Sequence, residues 1–307
     1  KTMGGHRTNQ VFFDNVHVSR DYLVGEENRG WTYVCEALDY ERELLEPLLK
    51  WFAIQPNIDL QLMHAGQSLA TLTGRCVTAI DDVIKQQQPA AIIVQGDTAS
   101  VMAASIAGFL NRCPVVHVEA GLRTGNLESP WPEEFNRRVV TLAAQLHCAP
   151  TQQAAEQLLR EWVDPDRVVV TGNTVIDALV WTAAQLGRDD QVYREKYVDW
   201  GTRRMVLVTA HRRENHGQGI EQICAALHEL AQQFYDVQFG WPVHPNPQVS
   251  GVVHQRLQSS VNIALIEPVD YPEFVWLMQR STLIVSDSGG VQEEAPSLRR
   301  PVLVMRD

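Results

Sequence analysis

The stretches Q-G-D-T at residues 95–98, V-H-V-E-A-G-L-R-T-G-N at 116–126 and S-P-W-P-E-E at 129–134 decide the fold. The apolar runs Pro89–Val94 and Pro114–Val118 lead into Gly96-Asp97 and into Glu119. Short apolar runs that stop this way read as buried strands, and Thr98–Asn111 and Glu133–Leu146 read as the helices between them. Strand–helix alternation is the pattern of a parallel sheet covered on both faces. Such a sheet gathers residues at the carboxyl ends of its strands, so Asp97, Glu119, Glu133 and Glu134 are expected in one crevice. Converging carboxylates beside arginines suggest proton transfer on an anionic substrate.

The rhythm extends outward. Short strands at His147–Ala149 and Arg167–Val170 and helices at Thr151–Trp162 and Thr174–Leu186 complete a first half. The charged stretch Arg188–Arg204 is the expected region between domains. Strands at Met205–Val208, Val237–Val243, Ile263–Ile266, Leu283–Val285 and Val302–Val304 then alternate with helices at Ile220–Phe234, Pro272–Met278 and Gly289–Leu298. The expected architecture is α/β, with two Rossmann-like, doubly wound domains and a cleft between them. The chain ends on a strand at Met305-Arg306-Asp307, where such a domain normally continues into a helix, so missing C-terminal helices are expected.

The gross numbers bound the function. At 307 residues there is room for two domains. A net charge of −11 argues against a general nucleic-acid or membrane-surface role. The five cysteines are scattered without a C-x-x-C spacing, which favours reduced thiols and a cytoplasmic setting over disulfides or zinc. No apolar run approaches the roughly 18 residues of a membrane span.

Residues 43–307 resemble the non-hydrolysing bacterial UDP-N-acetylglucosamine 2-epimerases. The resemblance rests on R-E-L-L at 42–45, G-Q-S-L at 66–69, the three stretches above, T-G-N-T-V-I-D-A-L at 171–179 and H-R-R-E-N at 211–215. It continues through P-V-H-P-N-P at 242–247, F-V-W-L-M at 274–278, D-S-G-G-V-Q-E-E-A-P-S-L at 287–298 and P-V-L-V-M-R-D at 301–307. It implies a GT-B-like fold, UDP-N-acetylglucosamine as substrate and UDP-N-acetylmannosamine as product. UDP would leave C1 as a base removes the C2 proton, and a glycal would be reprotonated as UDP adds back. No metal or other cofactor is implied, and the family is typically dimeric.

On the matching positions, Asp97, Glu119 and Glu133 would be the acid–base carboxylates, and His211 would act with them. Arg213 would face the pyrophosphate. Ser288, Gly289 and Gly290 would bind phosphate at a helix start, where backbone N–H groups suit anions. Glu294 would hold the ribose, Phe274 would lie beside the uracil, and His244 would line the site. Gln67, Arg123, Arg137 and Arg138 would line the cleft or a neighbouring nucleotide site. Each residue also has a plainer reading. Asp97 is an N-cap candidate, and Glu133 and, more so, Glu134 suit a helix N-terminus. Arg212-Arg213 reads as a solvated charge run, Phe274 as core, Glu294 as an exposed helix carboxylate and His244 as a structural histidine. An inactive UDP-sugar-binding remnant and a GT-B-type glycosyltransferase relative are the alternative functions.

Residues 1–42 resemble something else. G-G-H-R-T-N-Q-V-F-F-D-N-V-H-V at 4–18 and Y-L-V-G-E-E-N-R-G-W at 22–31, with A-L-D-Y-E-R at 37–42, are similar to acyl-CoA dehydrogenases. The epimerase loop G-T-R-P-E-x-x-K has no counterpart, so the first βαβ unit is expected to be missing. The domains expected are a foreign segment at 1–42, an incomplete N-terminal domain at 43–187, a linker at 188–204 and a UDP-binding domain at 205–307.

Overall fold

The computed structural model describes residues 42–63, 67–210, 217–244 and 247–305. The segment 1–41 and the basic run 211–216 lie outside the described residues. The chain divides into two compact units, one closing at Thr174 and one opening at Val175.

The first unit begins with helices α1 (Arg42–Trp51) and α2 (Leu69–Gln87). Strand β1 (Ile92–Gln95), helix α3 (Ala99–Leu110), strand β2 (Val115–Val118) and helix α4 (Glu133–Ala143) follow. Strand β3 (Leu146–Ala149), helix α5 (Gln152–Arg160) and strand β4 (Val168–Val170) complete it. The strands pair in parallel in the order β1-β2-β3-β4. Gln95 stands opposite Val118, and His117 opposite His147. Helix α2 buries Leu72, Cys76, Ile80 and Ile84, a four-residue spacing that lays one apolar stripe against α3 and β1. Truncating one such buried leucine typically costs about 2–5 kcal/mol. Helix α4 stops at Ala143, short of the predicted end, because Ala144 turns extended and Leu146 already pairs with Val116.

The second unit opens with α6 (Thr174–Leu186) and α7 (Gln191–Lys196). It continues through β5 (Arg204–Thr209), α8 (Gln218–Gln233), β6 (Val237–Pro242), α9 (Pro247–Leu257) and β7 (Ile263–Ile266). Helix α10 (Tyr271–Arg280), β8 (Leu283–Ser286), α11 (Gly289–Ser297) and β9 (Val302–Val304) follow. The sheet is parallel in the order β7-β6-β5-β8-β9. The chain therefore winds outward from β5 in one direction and then from β8 in the other, a doubly wound sheet whose switch point lies between those two strands. Its core joins alternate residues of β5 and β6, including the fully buried Trp241, to Ile220, Cys224 and Leu227 of α8 and Val249, Val253 and Leu257 of α9.

The charged stretch 188–204, read from sequence as a connector, packs within this second unit. The Tyr197 hydroxyl donates to Glu273, which also pairs with Lys196 at 2.6 Å. The Tyr197 ring stacks on Trp276, whose indole N–H donates to Asp190 at 3.1 Å. Its charges face outward while its aromatic rings do the packing, so charge alone misleads about its place.

Candidate active site

In the first unit the site grows from the carboxyl ends of β1 and β2. Gly96 follows β1 with a φ of +79°, a left-handed turn that glycine takes without steric cost. Its N–H donates to Val118 O at 3.0 Å, and its carbonyl accepts from His117 Nε2 at 2.9 Å. A Cβ on Gly96 would stand 3.8 Å from Glu119 Oε2. The turn that carries Asp97 therefore lies against the Glu119 carboxylate. Glu119 itself has a φ of +65°, a conformation costly for a side chain with a Cβ. Such backbone outliers gather at functional sites, and this one leaves the Glu119 carboxylate beside the Gly96 turn.

Asp97 is not the N-cap of α3. That role falls to Thr98, whose hydroxyl accepts from Val101 N at 3.3 Å. Asp97 instead pairs through its carboxylate with Arg137 Nη2, and its carbonyl accepts from Asn136 Nδ2 at 2.8 Å. Both partners sit on α4, one turn beyond Glu133. Glu133 and Arg137 are four apart and share a helix face, which brings Glu133 beside the Asp97 pair. Glu133 Oε2 is buried with no hydrogen-bond partner. An unsatisfied buried carboxylate oxygen is costly, as expected of an atom kept for a reacting group.

Glu134 does different work. It is fully buried and accepts from Thr124 N at 3.1 Å, Gly125 N at 3.3 Å, Arg138 Nε at 3.1 Å and Arg137 Nη1 at 3.3 Å. Burial alone would raise its pKa, but the Thr124 amide, the arginines and the Gly125 amide outweigh it and hold the carboxyl below its usual range. Glu134 thus fastens the 122–126 loop to α4, a larger role than favouring a helix dipole.

Arg123 is likewise committed. Its guanidinium grips both oxygens of Glu161 at 2.7 Å and donates to Thr141 Oγ1 at 2.8 Å and Leu122 O at 2.8 Å. Gln67 donates to Met63 Sδ at 3.4 Å and accepts from Arg75 at 3.2 Å, while Arg138 stays half-exposed beside Glu134.

Sequence reading passed over two histidines. His117 and His147 are buried side by side on β2 and β3. Burial pushes His117 down to about 3 and His147 to about 4, with Arg123 adding to both shifts, so both rings are neutral near pH 7. The available signal was a polar residue inside an otherwise apolar strand, V-V-H-V.

In the second unit the corresponding strand ends hold the D-S-G-G turn. Thr209 Oγ1 lies 2.7 Å from Ser286 Oγ, Asp287 N donates to Thr209 O at 3.2 Å, and Ser288 N donates to Ser286 Oγ at 3.0 Å. Ser288 holds the N-cap position of α11 without capping it through its hydroxyl, and Gly289 and Gly290 open the helix. Glu294, one turn along, is buried rather than the exposed carboxylate of the plainer reading. Phe274 is half-buried on α10, between Glu273 and Val275, which are both buried. His244 is half-buried just beyond β6. His211, Arg212 and Arg213 follow β5 in sequence and lie outside the described residues. Among the described residues no group of three His, Cys, Asp or Glu side chains is placed to hold a metal. No described helix is long and apolar enough to cross a membrane.

A family model described as UDP-N-acetylglucosamine 2-epimerase matches residues 26–307. A Yersinia pestis protein named UDP-N-acetylglucosamine 2-epimerase is 49% identical over 291 residues, which cover 93% of this chain and 77% of that protein. The solved UDP-GlcNAc 2-epimerase of Neisseria meningitidis, bound to UDP-GlcNAc, superposes with a TM-score of 0.79 at 44% identity, covering 87% of this chain and 73% of that one. An S. aureus structure with UDP gives a TM-score of 0.77 at 40% identity over 85% of this chain and 69% of its own. The family match reaches back to residue 26, well before the boundary expected near residue 42. No support for an acyl-CoA dehydrogenase origin of residues 1–42 comes from these comparisons.

Proposed function

The chain belongs to the UDP-N-acetylglucosamine 2-epimerase family, and on that premise we propose that it interconverts UDP-N-acetylglucosamine and UDP-N-acetylmannosamine. One carboxylate takes the C2 proton while the C1–O bond breaks and its electron pair leaves with UDP, forming a C1=C2 glycal. UDP oxygen then re-forms the bond to C1 while a second carboxyl returns a proton to the opposite face of C2. The observation that carries this reading is that Asp97 and Glu119 follow the neighbouring strands β1 and β2, with Glu133 one turn before the Arg137 that Asp97 pairs with. Gly96 lies against Glu119, and Arg137 joins Asp97 to the helix of Glu133.

The nucleotide is assigned to the second unit. The start of α11 at Ser288, Gly289 and Gly290 suits the diphosphate, and Glu294 suits the ribose hydroxyls. Phe274 suits the uracil edge, and His244 lines the site. His211 and Arg213 would supply hydrogen bonds and charge for the leaving diphosphate. The active form is a homodimer, a reading supported by Phe109 and Leu110 at the end of α3 and Phe135 and Leu142 on α4, which are 63%, 68%, 48% and 85% exposed. The buried free thiols Cys76, Cys113, Cys148 and Cys224 support a cytoplasmic setting. The domain limits 43–187 and 205–307 are kept as proposals, while the stretch 188–204 expected between them packs with the second unit. A foreign origin of the opening segment is a further proposal that rests on the acyl-CoA dehydrogenase-like motifs at 4–18 and 22–31. Sequencing the DNA that flanks the gene tests it, and finding this same segment ahead of the epimerase sequence in close relatives would refute it.

Proton NMR of UDP-N-acetylglucosamine with the protein tests the reaction. New anomeric signals of UDP-N-acetylmannosamine, growing to a fixed ratio from either sugar, are the expected result. Binding of UDP with no second sugar nucleotide would instead mark a nucleotide-binding remnant, and transfer of the sugar to an acceptor would mark a glycosyltransferase.

A further inference from the structure

His117 lies on β2, two residues before Glu119, and bonds the residue before Asp97. Its ring is wholly buried on β2, and its one hydrogen bond runs from Nε2 to the carbonyl of Gly96, at 2.9 Å. A carbonyl only accepts, so Nε2 carries the proton. Nδ1 is then the bare nitrogen, and it is buried with no partner. Burial favours that neutral ring, as do the positive charges of Arg123 and Arg137 nearby.

The Gly96 peptide units are thus held from both sides by consecutive residues of one strand. Val118 O receives the Gly96 N–H at 3.0 Å, and His117 reaches the Gly96 carbonyl. The next residue of the β1 segment is Asp97, and the next residue of the β2 segment is Glu119. We propose that His117 is a positioning residue that fixes the Asp97 turn against Glu119, setting the separation of two carboxylates that must address opposite faces of one carbon. This rests on the epimerase reading above. A shift of about 1 Å in such a constellation can cost on the order of 100-fold in rate while leaving substrate contacts elsewhere intact.

The test compares His117→Leu, which removes the donor at similar bulk, with His117→Gln, whose amide N–H reaches about as far as Nε2. Circular dichroism and denaturant midpoints confirm that each variant is folded. Expected are a kcat for the leucine variant lowered about 10- to 100-fold with KM within about 3-fold, and recovery of most of kcat in the glutamine variant. A folded leucine variant with wild-type kcat, or a glutamine variant no better than leucine, overturns the proposal. If the leucine variant does not fold, the glutamine variant decides by itself: kcat within about 3-fold of wild type supports the role, and a loss beyond about 10-fold overturns it. Nitrogen-15 NMR of the imidazole needs no turnover and separates this inference from the functional one. A wild-type chain without epimerase activity would sink the reaction, whereas a ring protonated on Nδ1 would sink the anchor.

Discussion

Arg137 pairs with Asp97 through one amino nitrogen and reaches Glu134 at 3.3 Å with the other. One planar fork therefore binds a candidate acid–base carboxylate to the buried carboxylate that fastens the 122–126 loop. A lysine keeps the charge but cannot span both partners. Arg137→Met is expected to lower the unfolding free energy by about 3 kcal/mol, since it leaves the buried Glu134 short of a partner. Arg137→Lys is expected to stay folded yet lose kcat by at least about 10-fold. Denaturant melts and steady-state kinetics on the two variants check both statements.

Glu133 and Glu134 are neighbours with opposite assignments. Glu133→Gln removes a proton-transfer group whose Oε2 makes no hydrogen bond, so kcat is expected to fall about 100- to 10,000-fold with little change in stability. Glu134→Gln places an amide where a carboxylate meets four donors, and a loss of about 3 kcal/mol in stability is expected. Paired melts and turnover assays separate them. Equal stability losses in the two variants would refute the division of labour.

The buried histidines set a pH dependence of stability. Both have folded pKa values depressed from 6.5, to about 3 and about 4. Below pH 6.5 the unfolded chain takes up protons that the folded chain refuses, so stability present at neutral pH is lost as pH falls. The slope is expected to approach about 1.4 kcal/mol per pH unit for each histidine between roughly pH 6 and 4. Glu134, held below its usual range, adds a loss in the same direction at lower pH. Unfolding free energies measured across pH 4–8 check this, and a double His117→Gln, His147→Gln variant should flatten the upper part of the curve.

Among the described glycines of the first unit, Gly121 leaves the least room for a side chain. It has a φ of +87°, and a Cβ there would meet Ala154 O at 2.2 Å. Backbone cannot yield as a flexible side chain does, so Gly121→Ala is expected to push α5 away and abolish stable folding at 37 °C. Soluble yield and circular dichroism report the outcome.

Much of this was legible beforehand. Helix Thr174–Leu186 and strands Ile263–Ile266 and Val302–Val304 fall where their apolar patterns put them. Helix α2 went unread although Leu72, Cys76, Ile80 and Ile84 carry a four-residue repeat, because threonines and Gly74 dilute the stripe. Helix α9 begins on Pro247 and includes Gly251, weak helix formers that tertiary packing overrides. At the candidate site, the motifs pointed to Asp97, Glu119 and Glu133. They did not reveal that Thr98 holds the cap, that Glu161 occupies Arg123, or that a buried histidine anchors the Gly96 turn. The last two depend on partners 38 and 21 residues away, which no local pattern encodes, whereas Thr98 caps Val101 three residues on, a local choice between two adjacent cap-forming residues.

In the proposed reaction the carboxylates of Asp97, Glu119 and Glu133 exchange a proton at C2 of a UDP-sugar. Incubation with UDP-N-acetylglucosamine in deuterated water, followed by mass spectrometry and NMR of the C2 position, tests it directly. The expected result is one deuterium at C2 in both sugar nucleotides, lost in Glu119→Gln while UDP binding persists. Full retention of hydrogen at C2 after prolonged incubation at high protein concentration, with UDP bound, would rule out proton exchange by these carboxylates.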